Sequence, residues 1–171
     1  NWVNSVTFSP DGQTLASVVE YGSIKLWKKG KDNNNWQEAE DIPLDVGKIA
    51  GWTANIRYSP DGNLFTVADS SGTVKLLSAD GKTTKDLKHS DRSSDFSNVD
   101  VSFSLDSKTI ATFGDGSVKL WDREGTQKSG LLDGQEDVNQ LTFGKNENNE
   151  TLIATAHDDN TINLWRDDNS T

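Results

Sequence analysis

Histidine and cysteine are too scarce in this chain to support most side-chain chemistry. The 171 residues include two histidines and no cysteine, which excludes disulfides, thiol catalysis and thiolate metal sites. The one cluster that could bind a metal is His157-Asp158-Asp159, in a predicted hairpin turn. Zinc needs several ligands that converge, and a polar turn accounts for this triplet more simply. The sequence therefore predicts no metal site and no histidine-based catalytic centre.

Other chemical patterns fail on spacing. Asp32 opens an amide-rich stretch, but Trp36 and Gln37 stand where a calcium loop needs a ligand and a glycine. Neither a phosphate-binding glycine loop nor a Gly-x-Ser-x-Gly nucleophile turn occurs. Two glycosylation sequons, at 149–151 and 169–171, are expected by chance in so asparagine-rich a chain. No cofactor is predicted, and the protein is predicted not to be an enzyme.

The charge balance disfavours nucleic acid and membrane surfaces as partners. The chain has 17 Lys and Arg against 27 Asp and Glu, a formal net charge of −10. Nucleic-acid affinity and docking to anionic lipid both need a basic surface. No apolar run is long enough to span a membrane, and no signal peptide opens the chain. We expect a cytoplasmic protein with protein partners, and the missing initial Met favours a piece of a longer polypeptide.

The elements that would position any site form a fourfold internal repeat. Each unit opens with an alternating run that ends in an aromatic residue, with spacings of 50, 45 and 40 residues: Phe8, Tyr58, Phe103 and Phe143. A tight turn follows, then a small-and-apolar run, then a run that alternates with period two as a half-buried strand does. Those third runs are 23–27, 73–77, 117–121 and 161–165. Each unit predicts three antiparallel strands, with weaker fourth segments at 36–42, 83–87 and 126–132.

These residues resemble the WD-repeat β-propeller family, whose fold is a ring of four-stranded blades. The Ser-Pro-Asp-Gly turns at 9–12 and 59–62 and the strand Ile24-Lys25-Leu26-Trp27 carry the resemblance, which covers nearly the whole chain. Similar turns occur in bacterial, including cyanobacterial, arrays. The resemblance implies an all-β fold with approximate blades 1–46, 47–91, 92–133 and 134–171, the last without its fourth strand.

Four such blades imply an arc of a seven- or eight-bladed ring, because a closed ring of four would need a wedge of about 90° per blade. Two sources could supply the remaining blades. Further repeats in a longer chain are favoured, and a homodimer that completes a ring of about eight blades is the alternative.

The resemblance also assigns structural roles. The family links His, Ser or Thr, Asp and Trp in a buried hydrogen-bond network. The matching residues here are Trp27, Trp121, Trp165, Asp115, Asp159 and His89. Leu77 replaces the Trp of the second unit, and no unit holds a complete set. We therefore expect the blades to rest mainly on apolar packing.

One rim of the ring is the expected partner-binding face. In the family, this rim consists of the connection that enters each blade and the turn between its second and third strands. Aromatic residues on a rim can anchor a partner. The candidates are Trp2, Trp52, Glu20, Tyr21, Ser71 and Phe96. The tryptophans could instead cover the edges of their own blades.

Two functions follow from the resemblance. The preferred one is a non-catalytic scaffold for protein–protein interaction, a regulatory or sensory module of a larger protein. The alternative is a ligand-binding or enzymatic propeller with a site at the central channel. The inward candidates for that site are Asn4, Asn55, Asp100 and Asn139. Such a site needs several polar groups that converge, and this set contains one carboxylate.

Overall fold

The computed structural model describes residues 2–19, 24–30, 35–39, 55–69, 72–82, 84–89, 99–114, 116–128, 132 and 137–166. All regular structure in these ranges is β-strand, which confirms the all-β prediction. Within the same ranges, no helix is long and apolar enough to span a membrane.

The described strands form four antiparallel sheets, one for each sequence repeat. Sheet 1 contains β1 (Val3–Phe8), β2 (Thr14–Val19), β3 (Ile24–Lys29) and β4 (Trp36–Glu38). Sheet 2 contains β5 (Asn55–Tyr58), β6 (Leu64–Ala68), β7 (Thr73–Ser78) and β8 (Thr84–Lys88). Sheet 3 contains β9 (Asp100–Phe103), β10 (Thr109–Gly114), β11 (Ser117–Asp122) and β12 (Gln127–Lys128). Sheet 4 contains β13 (Val138–Lys145), β14 (Thr151–His157) and β15 (Ile162–Arg166).

Every sheet is a meander whose strands pair in chain order. The predicted fourth segments form β4, β8 and β12, and β4 and β12 are shorter than predicted, at 3 and 2 residues. The registers superpose the repeats, because Leu15 pairs with Trp27 just as Ile110 pairs with Trp121. Equivalent positions in different sheets can therefore be compared directly.

The turn after each first strand shows why the Ser-x-Asp sequence recurs. In sheet 1 the Ser9 hydroxyl donates to Asp11 Oδ1 at 2.5 Å, and this oxygen accepts the N–H of Gln13 at 2.9 Å. The same bonds recur at Ser59 and Asp61 in sheet 2 and at Ser104 and Asp106 in sheet 3. Side chains thus satisfy backbone groups that a tight turn leaves without partners. In sheet 4, Asn146 Oδ1 takes this role by accepting the N–H groups of Asn148 and Glu150 at 3.0 Å.

The core lies between consecutive sheets. We call the face of a sheet that meets the preceding sheet its front face, and the one that meets the following sheet its back face. The junction of sheets 1 and 2 buries Ala16, Val18, Ile24 and Leu26 against Ile56, Phe65, Val67 and Leu77. The next junction buries Ala68, Val74, Leu76 and Leu87 against Val99, Val101, Phe103, Ile110 and Trp121. The third buries Ala111, Phe113, Val118 and Leu120 against Leu132, Val138, Leu141, Phe143 and Ile153. Successive residues of a strand therefore face opposite junctions, so that sheets 2 and 3 each contribute side chains to two junctions, as expected of stacked repeats.

Polar contacts also cross the junctions. The Ser5 hydroxyl of β1 accepts the N–H of Ile56 in β5 at 3.4 Å. Ser107, which adopts a φ of 60° where the first two units have glycine, accepts the N–H of Asp61 with its hydroxyl at 3.0 Å. The departure from Ser-Pro-Asp-Gly in the third unit thus ties its turn to the turn of sheet 2.

Candidate functional site

A hydrogen-bonded chain of side chains runs through sheet 3. The Trp121 indole N–H donates to Thr112 Oγ1 at 2.9 Å, and His89 Nδ1 lies 2.9 Å from the same oxygen. His89 Nε2 lies 3.0 Å from the carbonyl oxygen of Gly114, which can only accept. This assigns the proton of a neutral imidazole to Nε2 and makes Nδ1 the acceptor for the Thr112 hydroxyl. His89 and Thr112 are both buried.

These hydrogen bonds add buried polar contacts to the apolar packing on which we expected the sheets mainly to rest. His89, which follows β8 of sheet 2, joins Thr112 and Trp121 of sheet 3 in one hydrogen-bonded group. Asp115, the fourth candidate, lies outside the described residues. The other turn candidate, Asp159, accepts the N–H and hydroxyl of Thr161 at 2.9 and 2.6 Å, so it caps its own turn.

Sheet 4 builds a similar chain from a different histidine. Trp165 Nε1 donates to Thr155 Oγ1 at 3.1 Å, and that hydroxyl lies 2.9 Å from His157 Nε2. His157 follows Thr155 by two residues, as Gly114 follows Thr112. Sequence reasoning interpreted His157 as a turn residue, and the structure places it at the end of β14 with its ring on this hydroxyl. The spacing from Thr155 was the available signal.

The equivalent hydrogen-bonded chain of side chains is weaker in sheet 1 and absent from the described residues of sheet 2. In sheet 1, Trp27 Nε1 reaches Ser17 Oγ only at 3.5 Å. In sheet 2, Val67 and Leu77 occupy the equivalent positions, and both are buried on the front face. The two polar partners are thus replaced together, so no donor or acceptor is left behind at these positions. Thr66, on the opposite side of the strand, is the single described residue with a buried side-chain polar atom that lacks a hydrogen-bond partner.

A cleft of about 360 Å³ opens where the first strands of three sheets begin. We call this end of the sheets the upper edge: it comprises the starts of β5, β9 and β13 and the ends of the strands that follow them. The cleft is lined by Asn55, Val99, Asp100, Phe113, Asn139, Gln140 and Ala156. Three of the four inward candidates therefore converge, and Asn4 does not line the cleft.

Two polar side chains of the cleft, Asp100 and Asn139, contact charged side chains at the surface. Asp100 pairs with Arg57 at 3.5 Å, with both side chains partly exposed. Asn139 Nδ2 donates to Asp158 Oδ1 at 2.5 Å. Among the described lining residues, Asp100 is the sole carboxylate and no histidine is present. The described lining thus offers hydrogen-bonding groups held on paired strands.

Of the six rim candidates, Trp2 lies within the described residues. Trp2 precedes β1 and is 72% exposed, so it does not pack into a sheet. Trp52, Glu20, Tyr21, Ser71 and Phe96 lie outside the described residues. Sequence reasoning missed Val99, Phe113, Gln140 and Ala156, which the cleft brings together from sheets 3 and 4 and from the residue before β9.

The titration of the turn carboxylates follows from their hydrogen bonds. Burial acts to raise the pKa of Asp61, but bonds from the Ser59 hydroxyl and from Asn63, together with Arg123, outweigh it and hold the pKa at about 2. The hydroxyl of Ser9 and the N–H of Gln13 lower the pKa of Asp11. These carboxylates are therefore structural anions. No group of three or more potential metal ligands occurs within the ranges that the structure covers.

Stacked antiparallel meanders that share an upper edge define a repeat protein of the β-propeller class. The sequence profile of the family described as "WD domain, G-beta repeat" matches residues 1–28, 83–122 and 126–166, well over half of the chain. The chain belongs to the WD-repeat family. The unmatched residues 29–82 hold the second unit, in which Val67 and Leu77 replace the hydrogen-bonded pair.

Curated relatives agree with this assignment. The chain is 31% identical to Protein TOPLESS of Arabidopsis thaliana, over 96% of this chain and 16% of that protein. It is 26% identical to Protein HIR1 of Kluyveromyces lactis, over 92% of this chain and 21% of that protein. A guanine nucleotide-binding protein subunit beta-like protein of Encephalitozoon cuniculi is 28% identical over 47% of this chain and 28% of its own length. The matched segments thus span 16% to 28% of the length of these relatives.

Proposed function

We propose that this chain is a non-catalytic docking platform that binds other proteins at its upper edge, as a regulatory module of a larger protein. The observation that carries the proposal is the exposed Trp2 side chain before β1, at the end of the sheets where the cleft lined by Asn55, Asp100 and Asn139 also opens. Side chains held by paired strands form a more rigid binding surface than side chains on loops. The family assignment supports the proposal, because the fold presents rim groups on a fixed frame.

The surface favours a partner with basic groups facing the cleft. Asp100, Asp137 and Asp158 lie around the upper edge, and the chain carries a net charge of −10. Opposite charge speeds encounter and fixes register more than it adds affinity. Binding at this edge should therefore weaken as salt is raised from 0.05 to about 0.5 M, because exposed charges are screened.

Two features extend the proposal beyond the described residues. Trp52, Glu20, Tyr21, Ser71 and Phe96 are proposed to belong to the same binding rim, next to Trp2. The four units are proposed to be an arc of a seven- or eight-bladed ring in a cytoplasmic protein, with blade boundaries near 46, 91 and 133.

Affinity purification of the tagged chain from its own cells, with quantitative mass spectrometry, tests the proposal. The wild type is compared with Trp2→Ala, Trp52→Ala and Gln140→Ala, and with Leu105→Ala as the control. Leu105 is 53% exposed in the β9–β10 turn, at the opposite end of the sheets.

We expect one set of proteins to be retained by the wild type and the control and lost with the variants at the upper edge. The thermal unfolding midpoint should stay unchanged, because Trp2 and Gln140 are exposed. Equal capture by all variants would contradict docking at this edge. A large loss of stability in Trp52→Ala would instead assign Trp52 to packing.

A further inference from the structure

The cleft at the upper edge combines a buried apolar floor with a partly exposed carboxylate. Val99 and Phe113 are each 4% exposed, and they belong to the second and third internal junctions. Asp100 lies directly opposite Phe113 in the antiparallel pair of β9 and β10, so the two side chains project from the same face of sheet 3. A ligand with an apolar stem and a cationic head fits this combination, because the stem can cover the floor while the head meets the carboxylate.

Sheet 2 already places a guanidinium on this carboxylate. Arg57 Nη2 lies 3.5 Å from Asp100 Oδ2, and both side chains are partly exposed. A well-formed charge-assisted hydrogen bond measures about 2.7–2.9 Å, so the Arg57 contact is a loose one. Asp100 Oδ1 meanwhile accepts the N–H of Val101 at 2.8 Å, which fixes the carboxylate. Asp100 is therefore a positioned cation acceptor whose present partner is weakly held.

The other polar groups of the cleft favour a guanidinium over an ammonium. Asn55, Asn139 and Gln140 contribute side-chain amides from the first strands of sheets 2 and 4. Asn139 donates its Nδ2 to Asp158 Oδ1 at 2.5 Å, which leaves its own Oδ1 as an acceptor. Acceptors from several strands match the five N–H donors of a planar guanidinium, which is also more weakly hydrated than the ammonium of lysine.

We propose that the cleft binds an arginine side chain of a partner protein, with Asp100 as its carboxylate acceptor and Arg57 as an internal competitor that limits the affinity. The inference rests on the docking platform proposed above and names the group that this platform recognises. The partner's guanidinium replaces the loose Arg57 contact, and its methylene groups cover Phe113 and Val99. Removal of the Arg57 charge therefore strengthens binding, whereas removal of the Asp100 charge weakens it.

Titration of the chain with N-acetyl-arginine methylamide, followed by nuclear magnetic resonance, tests the site directly. We expect a dissociation constant of about 1–10 mM, as for other ligands of this size, with amide shifts concentrated at Asn55, Asp100, Phe113 and Gln140. The lysine derivative carries the same charge and should bind more weakly, and the neutral citrulline derivative should not bind. Absence of these shifts up to about 50 mM arginine derivative, or equal binding of either control compound, would overturn the proposal.

Two variants that each remove one charge test the roles of Asp100 and Arg57. Asp100→Asn keeps the Oδ1 acceptor for the Val101 N–H, and it should weaken binding of the arginine derivative at least about tenfold. Arg57→Gln should strengthen that binding about 1.5- to fivefold, the range expected when a competing exposed ion pair is removed. Weaker binding in Arg57→Gln, or unchanged binding in Asp100→Asn, would contradict the assigned roles.

Matched controls remove the same charges at the opposite end of the sheets. Glu147→Gln lies in the β13–β14 turn, and Arg123→Gln follows β11. Both should leave the dissociation constant within about twofold, because exposed charges at that distance are screened. Changes in these controls as large as those in Asp100→Asn and Arg57→Gln would show a general charge effect and overturn the site. Circular dichroism verifies that all variants fold.

The affinity purification separates this inference from the docking proposal. We expect Asp100→Asn to lose the same proteins as Trp2→Ala. Retention of those proteins by Asp100→Asn, with their loss from Trp2→Ala, would overturn the arginine site and leave docking at the upper edge intact. Retention by both variants would contradict docking at this edge, even where the arginine derivative binds the cleft.

Discussion

The same substitution at two equally buried threonines should have opposite effects on stability. Thr66 in β6 and Thr112 in β10 are both 0% exposed. Thr66 Oγ1 has no hydrogen-bond partner, whereas Thr112 Oγ1 lies 2.9 Å from both Trp121 Nε1 and His89 Nδ1. Valine keeps nearly the shape of threonine and replaces the hydroxyl with a methyl group, so the pair of variants isolates the effect of the hydrogen bonds.

The magnitudes follow from what each hydroxyl does. Thr112→Val leaves the buried indole N–H of Trp121 without an acceptor, a loss of about 1–3 kcal/mol, and removes the bond to His89, worth about 1 kcal/mol more. We expect a decrease of about 2–4 kcal/mol in the free energy of unfolding. Thr66→Val removes a buried hydroxyl that has no compensation, and we expect an increase of up to about 1 kcal/mol.

Urea denaturation followed by tryptophan fluorescence and circular dichroism measures both values, provided that the two probes give coincident transitions. The m-values should be unchanged, so the difference should appear in the midpoints. Equal destabilisation by both variants, or a loss above about 1 kcal/mol for Thr66→Val, would refute the hydrogen-bond assignment in sheets 2 and 3.

Three further outcomes are expected. The pKa of Asp61 is about 2 in the folded chain and about 3.9 in the unfolded chain. The ionised carboxylate therefore stabilises the fold above about pH 4, and this stabilisation is lost as the pH falls toward 2. In Asp61→Asn, the thermal unfolding midpoint should depend less steeply on pH in this window. Arg123→Ala should change stability by less than about 0.5 kcal/mol, because its 3.3 Å contact with Asp61 is partly exposed. Gly125→Ala should lower the free energy of unfolding by about 1–2 kcal/mol, because φ at Gly125 is +75° and the new Cβ would lie 2.9 Å from Leu87 Cδ2. Gly144→Ala, whose Cβ would have nothing within 4 Å, is the control in the same urea denaturation experiment.

Local sequence was sufficient for the strands and the turns. Period-two alternation predicts which residues of β3 and β11 face a junction, because a strand turns successive side chains to opposite faces. The Ser-x-Asp turns were equally predictable, since their hydrogen bonds join residues two to five positions apart. The short lengths of β4 and β12 were not predictable from local sequence, because the length of an outer strand depends on what covers it.

Contacts between sheets escaped prediction because they depend on how the repeats stack. His157 belongs to a turn by composition, and its bond to Thr155 follows only once the register of β14 and β15 is known. The cleft combines residues from 55 to 156. The repeat predicted its first-strand members Asn55, Asp100 and Asn139, whereas Val99, Phe113, Gln140 and Ala156 join them only through the stacking of the sheets. Thr66 stands where the other units have alanine. Its hydroxyl has no hydrogen-bond partner because the stacking of the sheets buries this position, which the local sequence does not show.

Hydrogen–deuterium exchange of the chain in complex with a partner recovered by affinity purification tests the docking platform most directly. The account predicts that protection on binding is concentrated at the starts of β5, β9 and β13 and at the ends of β10 and β14, with none in the β9–β10 turn around Leu105. Protection centred on the turns at the opposite end of the sheets, with the upper edge unchanged, would contradict it.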